Sequence, residues 1–140
     1  MNEPRPLLLD THAAIWIVED QPLAQPAIEA IDDAYRSDKE IFVSAITAWE
    51  IGVLVARNRL GLSTKPERWF QRLLAVPGVK LAELSPDILI ASSFLPGDPP
   101  RDPADRIIIA TARDLGATLI TRDSLILKYA EHGQVSTMGC

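Results

Sequence analysis

Four acidic residues stand in stretches whose neighbours predict burial, and they are the first candidates for chemistry: Asp10, Glu50, Asp105 and Asp123. Asp10 closes the apolar run Leu7–Leu9, and Glu50 lies in the segment 45–56, which is apolar on nearly all sides. An isolated ionised carboxylate is costly to desolvate unless something compensates its charge. These side chains therefore need partners. If all four share one partner, they can form a single site that carries out a reaction.

A divalent cation is the natural shared partner. Carboxylates held close together repel one another, and some of their pKa values rise unless a cation shares them. Aspartate and glutamate oxygens without a cluster of histidine or cysteine favour Mg²⁺ or Mn²⁺ over zinc. Such a cation orients phosphate oxygens and lowers the pKa of a bound water. The sequence thus favours a phosphate ester as the substrate and phosphodiester hydrolysis as the reaction.

Each of these acids also has a structural interpretation. Asp10 and Asp123 follow predicted strands, and aspartate is a preferred N-cap for a helix that begins there. Glu50 can lie on a narrow solvent-facing stripe or pair with Arg57. These alternatives stay open until the side chains are placed in space.

Residues 102–105 carry the signature of a helix start. Asp102 is expected at the N-cap and Pro103 at the first helical position, so Asp105 falls in the first turn. The helix dipole favours an acid there for structural reasons alone. For Asp102 the cap is the better interpretation, whereas Asp105 is equally compatible with a cap and with chemistry.

The elements that must position these residues follow from hydrophobic patterning. Short apolar runs predict buried parallel strands at 7–9, 41–43 and 119–120, with weaker signals at 79–81 and 134–136. Periodic segments predict helices at 12–19, 24–36, 45–58, 66–75, 86–94 and 103–115, and one more around 126–129. Alternating strands and helices imply an α/β fold, a three-layer α/β/α sandwich around a mainly parallel sheet.

This topology lets the acids converge. Parallel strands deliver Asp10 and Asp123 to the same edge of the sheet, and helix starts meet that edge as well. Aromatic residues on the predicted helices are assigned to core packing rather than to base stacking: Trp16, Trp49, Trp69 and Phe70.

Composition sets the outer limits. With 140 residues and 47% hydrophobic content, the chain fits one domain over 1–140. The single cysteine, Cys140, suits a reducing compartment, and the start at Met1–Pro6 shows no targeting signal or membrane span, so a cytoplasmic protein is expected. The net charge of −5 repels nucleic acid at long range, although a cation held by the acids reverses that locally.

Four short motifs in this order resemble the PIN-domain family, most closely the VapC-like toxins of type II toxin–antitoxin systems. They are Leu-Leu-Leu-Asp10-Thr11-His12, Ser44-Ala45-Ile46-Thr47-Ala48-Trp49-Glu50-Ile51, Asp102-Pro103-Ala104-Asp105-Arg106-Ile107-Ile108-Ile109-Ala110 and Thr121-Arg122-Asp123. The resemblance covers essentially the whole chain, and its specificity lies in the order and spacing of the four motifs together.

The resemblance implies a magnesium-dependent RNA endonuclease, with Mn²⁺ as a substitute, that forms a homodimer and is inhibited by a cognate antitoxin. Carried over by position, Asp10 and Asp105 become the main metal ligands, and Glu50 and Asp123 complete the acidic pocket. Thr121 matches a hydroxyl residue beside that pocket. Three neighbours of these residues have either a supporting or a structural role: Asp102, Arg106 and Arg122. The structural role of Asp102 is a helix cap. The two arginines either contact phosphate or form ion pairs with the acids.

Two rivals remain. A haloacid-dehalogenase-type phosphatase also places an aspartate after its first strand, but it needs a second aspartate two residues later, where this chain has His12. The other rival is a non-catalytic PIN-like module that binds RNA or a protein, with its acids serving as caps and ion pairs.

Overall fold

A parallel sheet forms the centre of the molecule. The computed structural model describes residues 5–20 and 22–140. The strands in this part of the chain are β1 (Leu7–Leu9), β2 (Ile41–Ser44), β3 (Val79–Ala82), β4 (Thr118–Thr121) and β5 (Ser136–Gly139). They pair in the order β3-β2-β1-β4-β5, and each neighbouring pair is parallel. The prediction that the chain has no targeting signal depends partly on residues 1–4, and these lie outside the described residues.

Helices cover both faces of the sheet. Those in the described residues are α1 (Thr11–Glu19), α2 (Gln25–Arg36), α3 (Ala45–Ala56), α4 (Pro66–Ala75), α5 (Pro86–Ala91), α6 (Pro103–Leu115) and α7 (Ser124–Ala130). The predicted three-layer α/β/α fold is therefore confirmed. The helix predicted at 45–58 ends two residues early, because Asn58 takes a positive φ of 56° that stops the helix.

Alternating side chains of β1 anchor the two layers. Leu7 and Leu9 belong to a core with α1, α2 and α4, whereas Leu8 belongs to a second core with α6 and α7 on the opposite face. Burial of each leucine stabilises the fold by roughly 1.5–3 kcal/mol. This run of three leucines thus fixes the strand that carries Asp10 at its end.

The fifth strand departs from the prediction. The signal at 134–136 is wrong, because the strand spans Ser136–Gly139 and pairs with β4 from Thr118 onward. Val135 precedes the strand and is buried against the second core. The apolar signal at this position therefore comes from the segment that connects α7 to β5. The strand itself is small, only partly buried and at the edge of the sheet, and for that reason it carries little hydrophobic pattern.

The aromatic residues divide between core and surface. Trp69 is fully buried, and Trp16 and Phe70 pack against the first core, as predicted. The core assignment of Trp49 is wrong, because 60% of this residue is exposed. α3 is apolar on nearly all sides, yet only Thr47 and Ile51 of this helix are fully buried in the described chain, and Trp49 is exposed. Within the described residues, no helix has the length and apolar character that crossing a bilayer requires.

Candidate metal centre

Asp10 and Asp123 lie at the carboxyl ends of the two central strands. β1 and β4 pair directly, and the backbone N–H of Asp10 donates to the carbonyl oxygen of Ile120 at 2.9 Å. Asp10 is the N-cap of α1, and Asp123 is the N-cap of α7. Both predicted caps are confirmed, and the same positions bring the two carboxyl groups to one edge of the sheet.

The hydroxyl of Thr121 links these two acids. It donates to Oδ2 of Asp10 at 2.6 Å and accepts from the backbone N–H of Asp123 at 3.1 Å. The other carboxylate oxygen of Asp10 accepts from the backbone N–H of Thr11 at 2.7 Å. Because both oxygens of Asp10 have a donor, the carboxyl group has a fixed orientation, and the second lone pairs of its oxygens remain available.

Glu50 reaches the same edge from α3. This helix starts directly after β2, the neighbour of β1, with Ser44 as its N-cap. Oε1 of Glu50 accepts from the hydroxyl of Thr11 at 2.9 Å, and that hydroxyl lies 3.4 Å from the hydroxyl of Thr47. The alternative pairing with Arg57 is absent from the described residues, where the only ion pair joins Lys80 to Glu40.

Asp102 and Asp105 occupy the start of α6 as the sequence predicts. Asp102 is the N-cap and accepts from the backbone N–H of Asp105 at 3.0 Å, and Pro103 lies in the first turn. In the described part of the chain, the carboxyl group of Asp105 itself accepts no hydrogen bond from protein. The helix start therefore explains Asp102 and leaves the side chain of Asp105 without a capping role.

Asp105 lies in a negative field from its neighbours. Burial is the largest cause that raises the pKa of Asp105 to about 7, and the charges of Asp123 and Asp102 follow. Asp10 and Glu50 contribute in the same direction. Coulomb repulsion weakens with distance, so Asp105 lies within electrostatic range of the other three predicted acids and of Asp102.

The pKa values of Glu50 and Asp10 shift in the same direction. Burial raises the pKa of Glu50 to about 7; the charges of Asp10, Asp102 and Asp123 add to this, and the Thr11 hydroxyl opposes it. Burial also raises the pKa of Asp10, against the hydrogen bond from Thr121. With no lysine or arginine paired to them in the described residues, these carboxylates repel one another at neutral pH.

The acidic side chains supply hard oxygen donors but no preformed metal cage. Within the described residues, no group of three or more His, Cys, Asp or Glu side chains is placed so that it could hold a metal ion by itself. Magnesium keeps several waters and is usually held by one or two carboxylates, whereas structural zinc requires four protein ligands. Carboxylate and hydroxyl oxygens are the hard donors that Mg²⁺ prefers. Uncompensated carboxylates around such donors make this edge a suitable place for a hydrated divalent ion.

The two neighbouring arginines hold backbone segments. Arg106 donates through Nε to the carbonyl oxygen of Pro100 at 2.7 Å. Arg122 donates through Nη2 to the carbonyl oxygens of Pro22 and Cys140, at 3.0 and 2.9 Å. Phosphate contacts by either arginine stay predictions, since these groups already tie loops and the C-terminus to the site.

Thr11 and Thr47 are the residues whose contribution the sequence motifs did not reveal. Thr11 has 8% of its surface exposed and Thr47 has none, and their hydroxyls provide the polar environment of Glu50. Each lies within a quoted motif, next to or three residues before an acid. The only available signal is a polar side chain at a helix position whose neighbours are apolar.

Comparison with known proteins shows the family of this chain. A model of the PIN domain matches residues 7–132, so the chain belongs to the PIN domain family and the resemblance of the motifs is confirmed. Ribonuclease VapC22 of Mycobacterium tuberculosis is 36% identical to this chain over 118 residues, which cover 84% of this chain and 86% of that protein.

Solved structures show the same fold at low identity. One chain in the crystal structure of VapBC2 from Rickettsia felis, bound to a DNA fragment from their promoter, has a TM-score of 0.63 and 15% identity, and the alignment covers 96% of this chain and 98% of that chain. A chain of FitAcB from Neisseria gonorrhoeae has a TM-score of 0.56 and 23% identity, with 94% and 96% covered.

Replacing Glu50 by glutamine tests the repulsion at the site. Between about pH 4 and pH 7 the folded chain keeps a proton on Glu50 that the unfolded chain has released. The stability from the neutral carboxyl is therefore present below about pH 4 and is lost as the pH rises through about 7. Glu50→Gln should raise the metal-free melting temperature at about pH 8 and change it little at about pH 4.

The control for this experiment is Glu83→Gln, because Glu83 is exposed and is not among the charges that raise the pKa of Glu50. Thermal melts of both variants in EDTA provide the measurement. Equal shifts at the two pH values, or no shift at either, would contradict the account of Glu50.

Removing the Thr121 hydroxyl tests its link between Asp10 and Asp123. Valine keeps the shape of Thr121 but takes away the donor to Asp10 and the acceptor for the N–H of Asp123. Hydrogen bonds to metal ligands are worth about 10–100-fold in metal affinity. Calorimetric titration with Mn²⁺ should show a loss of that size for Thr121→Val.

Thr118→Val is the matched control, because Thr118 begins the same strand and its hydroxyl lies 3.1 Å from that of Ser136. It should bind Mn²⁺ like the parent protein. Equal affinities of the two variants would show that Thr121 does not orient a ligand.

Proposed function

We propose that this protein is a divalent-metal-dependent endoribonuclease, the toxin of a type II toxin–antitoxin pair. The observation that carries the proposal is a set of acids within electrostatic range of Asp105, with the pKa values of Glu50 and Asp105 raised to about 7 and no ion pair from these acids to lysine or arginine in the described residues. Membership in the PIN domain family and the 36% identity to a named ribonuclease support the same activity.

The proposed roles are those that the resemblance to the PIN-domain family implies. Asp10 and Asp105 are the proposed main ligands for Mg²⁺, with Mn²⁺ as a substitute, and Glu50 and Asp123 complete the acidic pocket. Bound Mg²⁺ supplies charge neutralisation for the phosphodiester and lowers the pKa of a coordinated water. Thr121 and the N–H of Thr11 orient Asp10.

Glu50 is held in the acidic pocket by its hydrogen bond from Thr11. Without a metal, burial and then the neighbouring acids raise its pKa to about 7. A divalent cation in the pocket would favour the ionised carboxylate. We therefore assign Glu50 a place beside the main ligands, where its charge would help to hold the cation.

The non-catalytic alternative explains only part of the site. Asp10, Asp102 and Asp123 do cap helices, which is what a purely structural role requires. Glu50 and Asp105 cap nothing, and burial, followed by the neighbouring acids, raises their pKa values. A binding module gains nothing from this arrangement, and the PIN domain match replaces the phosphatase interpretation.

An antitoxin and a second copy of the chain are the proposed partners, and the cytoplasm is the proposed location. Similarity of the fold to VapBC2 and FitAcB supports a protein partner. Exposed apolar side chains on two helices that pack on α6 support a homodimer: Trp49 at 60%, Ile90 at 61% and Leu89 at 41% exposed.

Asp10→Asn tests the activity. The substitution keeps the shape of Asp10 and removes its charge, and since burial already favours the neutral form, the protein should stay folded. Cleavage of a fluorescent single-stranded RNA in Mg²⁺ should be lost while the circular dichroism spectrum is unchanged. Asp87→Asn, at an exposed position of α5, is the control and should cleave like the parent. Cleavage by Asp10→Asn at the parent rate would overturn the assignment.

Trp49→Asp tests the homodimer. An exposed tryptophan buried at an interface is typically worth 2 kcal/mol or more, so the dimer Kd should rise by at least about 30-fold. Light scattering after gel filtration measures the change. Tyr35→Asp is the control, because Tyr35 is an aromatic residue on α2 that is 57% exposed. A Trp49→Asp protein as dimeric as the control would place the interface elsewhere.

A further inference from the structure

A cavity of about 410 Å³ lies beside the acidic edge, between the loop 95–101 and α7. Its volume falls in the range of small-molecule sites. It begins at Asp102, the N-cap of α6, which also raises the pKa values of Glu50 and Asp105. On the other side it is lined by Leu125, whose backbone N–H donates to Asp123. The cavity therefore adjoins the candidate metal centre through Asp102 and Leu125.

Cationic side chains line this cavity in a chain with a net charge of −5. Arg101 and Lys128 are both exposed, and in the described residues neither forms an ion pair with a carboxylate. His132 lies beside them. Asp98 and Asp102 also line the cavity, but the carboxylate of Asp102 is engaged at the start of α6. The side formed by Arg101 and Lys128 is thus available to an anion.

The walls are held in place from both sides. The hydroxyl of Tyr129 donates to the carbonyl oxygen of Pro96, and Nε of Arg106 donates to that of Pro100. Pro99 and Pro100 restrict the backbone of the loop between these two anchors. A cavity with a fixed shape loses little conformational freedom when it is filled.

Leu125 adds an apolar surface next to the cations. This side chain is 58% exposed, although it stands on a helix that packs against the core through Ile126 and Tyr129. A nucleotide presents the same combination of an anionic phosphate and a flat apolar base. An acidic peptide with an apolar residue presents similar groups, so a peptide titration serves as the competing outcome of the test.

We propose that this cavity holds a nucleotide of the RNA strand adjacent to the scissile phosphate, with Arg101 and Lys128 on its backbone phosphate and Leu125 against its base. The inference rests on the proposed ribonuclease function. An RNA strand whose scissile phosphate lies at the acidic edge must continue into a neighbouring space. This cavity is such a space, because Asp102 lies at the boundary between the cavity and the acidic edge. Arg101 and Lys128 then supply two local positive charges to the strand, while the carboxylate of Asp102 is engaged at the start of α6.

The test uses Arg101→Ala and Lys128→Ala in an Asp10→Asn background, so that the RNA probe is bound and not cut. The probe is a fluorescein-labelled single-stranded RNA of about 12 nucleotides, within the range of single-strand binding sites. Anisotropy titrations in Mg²⁺ at several salt concentrations measure the slope of log K against log salt. Each lost phosphate contact should make that slope shallower by about 0.7.

Arg36→Ala is the matched control. Arg36 and Lys128 are both exposed and lie in the last turns of their helices, so each variant loses the same favourable contact with a helix dipole. The slope for Arg36→Ala should equal that of the background protein. With Asp10 restored, Lys128→Ala should raise KM for the same RNA with little change in kcat, whereas Arg36→Ala should change neither.

The outcomes separate this inference from the proposed function. If the parent protein cleaves RNA while the cavity variants keep the salt slope and KM of the control, the cavity proposal fails and the nuclease stands. If the cavity variants keep the salt slope of the control for RNA but lose affinity for an acidic antitoxin peptide, the cavity binds protein and the proposal also fails. A parent protein that cleaves no RNA refutes the proposed function itself.

Discussion

The mutual repulsion of carboxylates at one edge of the sheet is the constraint on which this structure depends. Burial and neighbouring charges raise the pKa values of Glu50 and Asp105 to about 7, so the site resists ionisation when it is empty of cations. The direct pairing of β1 and β4 nevertheless holds Asp10 beside Asp123. The cores on both faces supply the stability that offsets this repulsion, which is the expected arrangement for a functional site.

Capping reconciles the acids with the fold. Asp10, Asp102 and Asp123 each accept a backbone N–H at a helix start, where the helix dipole favours a negative charge. These bonds orient the side chains and leave lone pairs for other ligands. Structural and functional roles are therefore compatible in the same residue, and only Glu50 and Asp105 stand outside the capping pattern. Because capping does not explain Glu50 and Asp105, their positions are the evidence for a functional site.

Much of the fold and of the site could be predicted because the relevant signals are local. A run of three leucines predicts β1, and Asp-Pro predicts the start of α6, since both depend on a few adjacent residues. The surroundings of Glu50 depend on contacts distant in sequence, such as the hydroxyl of Thr11, and no local pattern reports them. The exposure of Trp49 could not be predicted either, because an apolar side chain has the same pattern whether its own chain or another surface covers it.

The most direct test of the central claim is a crystal structure with Mn²⁺, analysed by anomalous diffraction. The account predicts a Mn²⁺ peak at the sheet edge that contacts the carboxyl group of Asp10 or Asp105, directly or through a water. It also predicts that the peak disappears from crystals of Asp10→Asn. A protein saturated with Mn²⁺ that shows no peak at this edge, or the same peak with and without the Asp10 carboxylate, would contradict it.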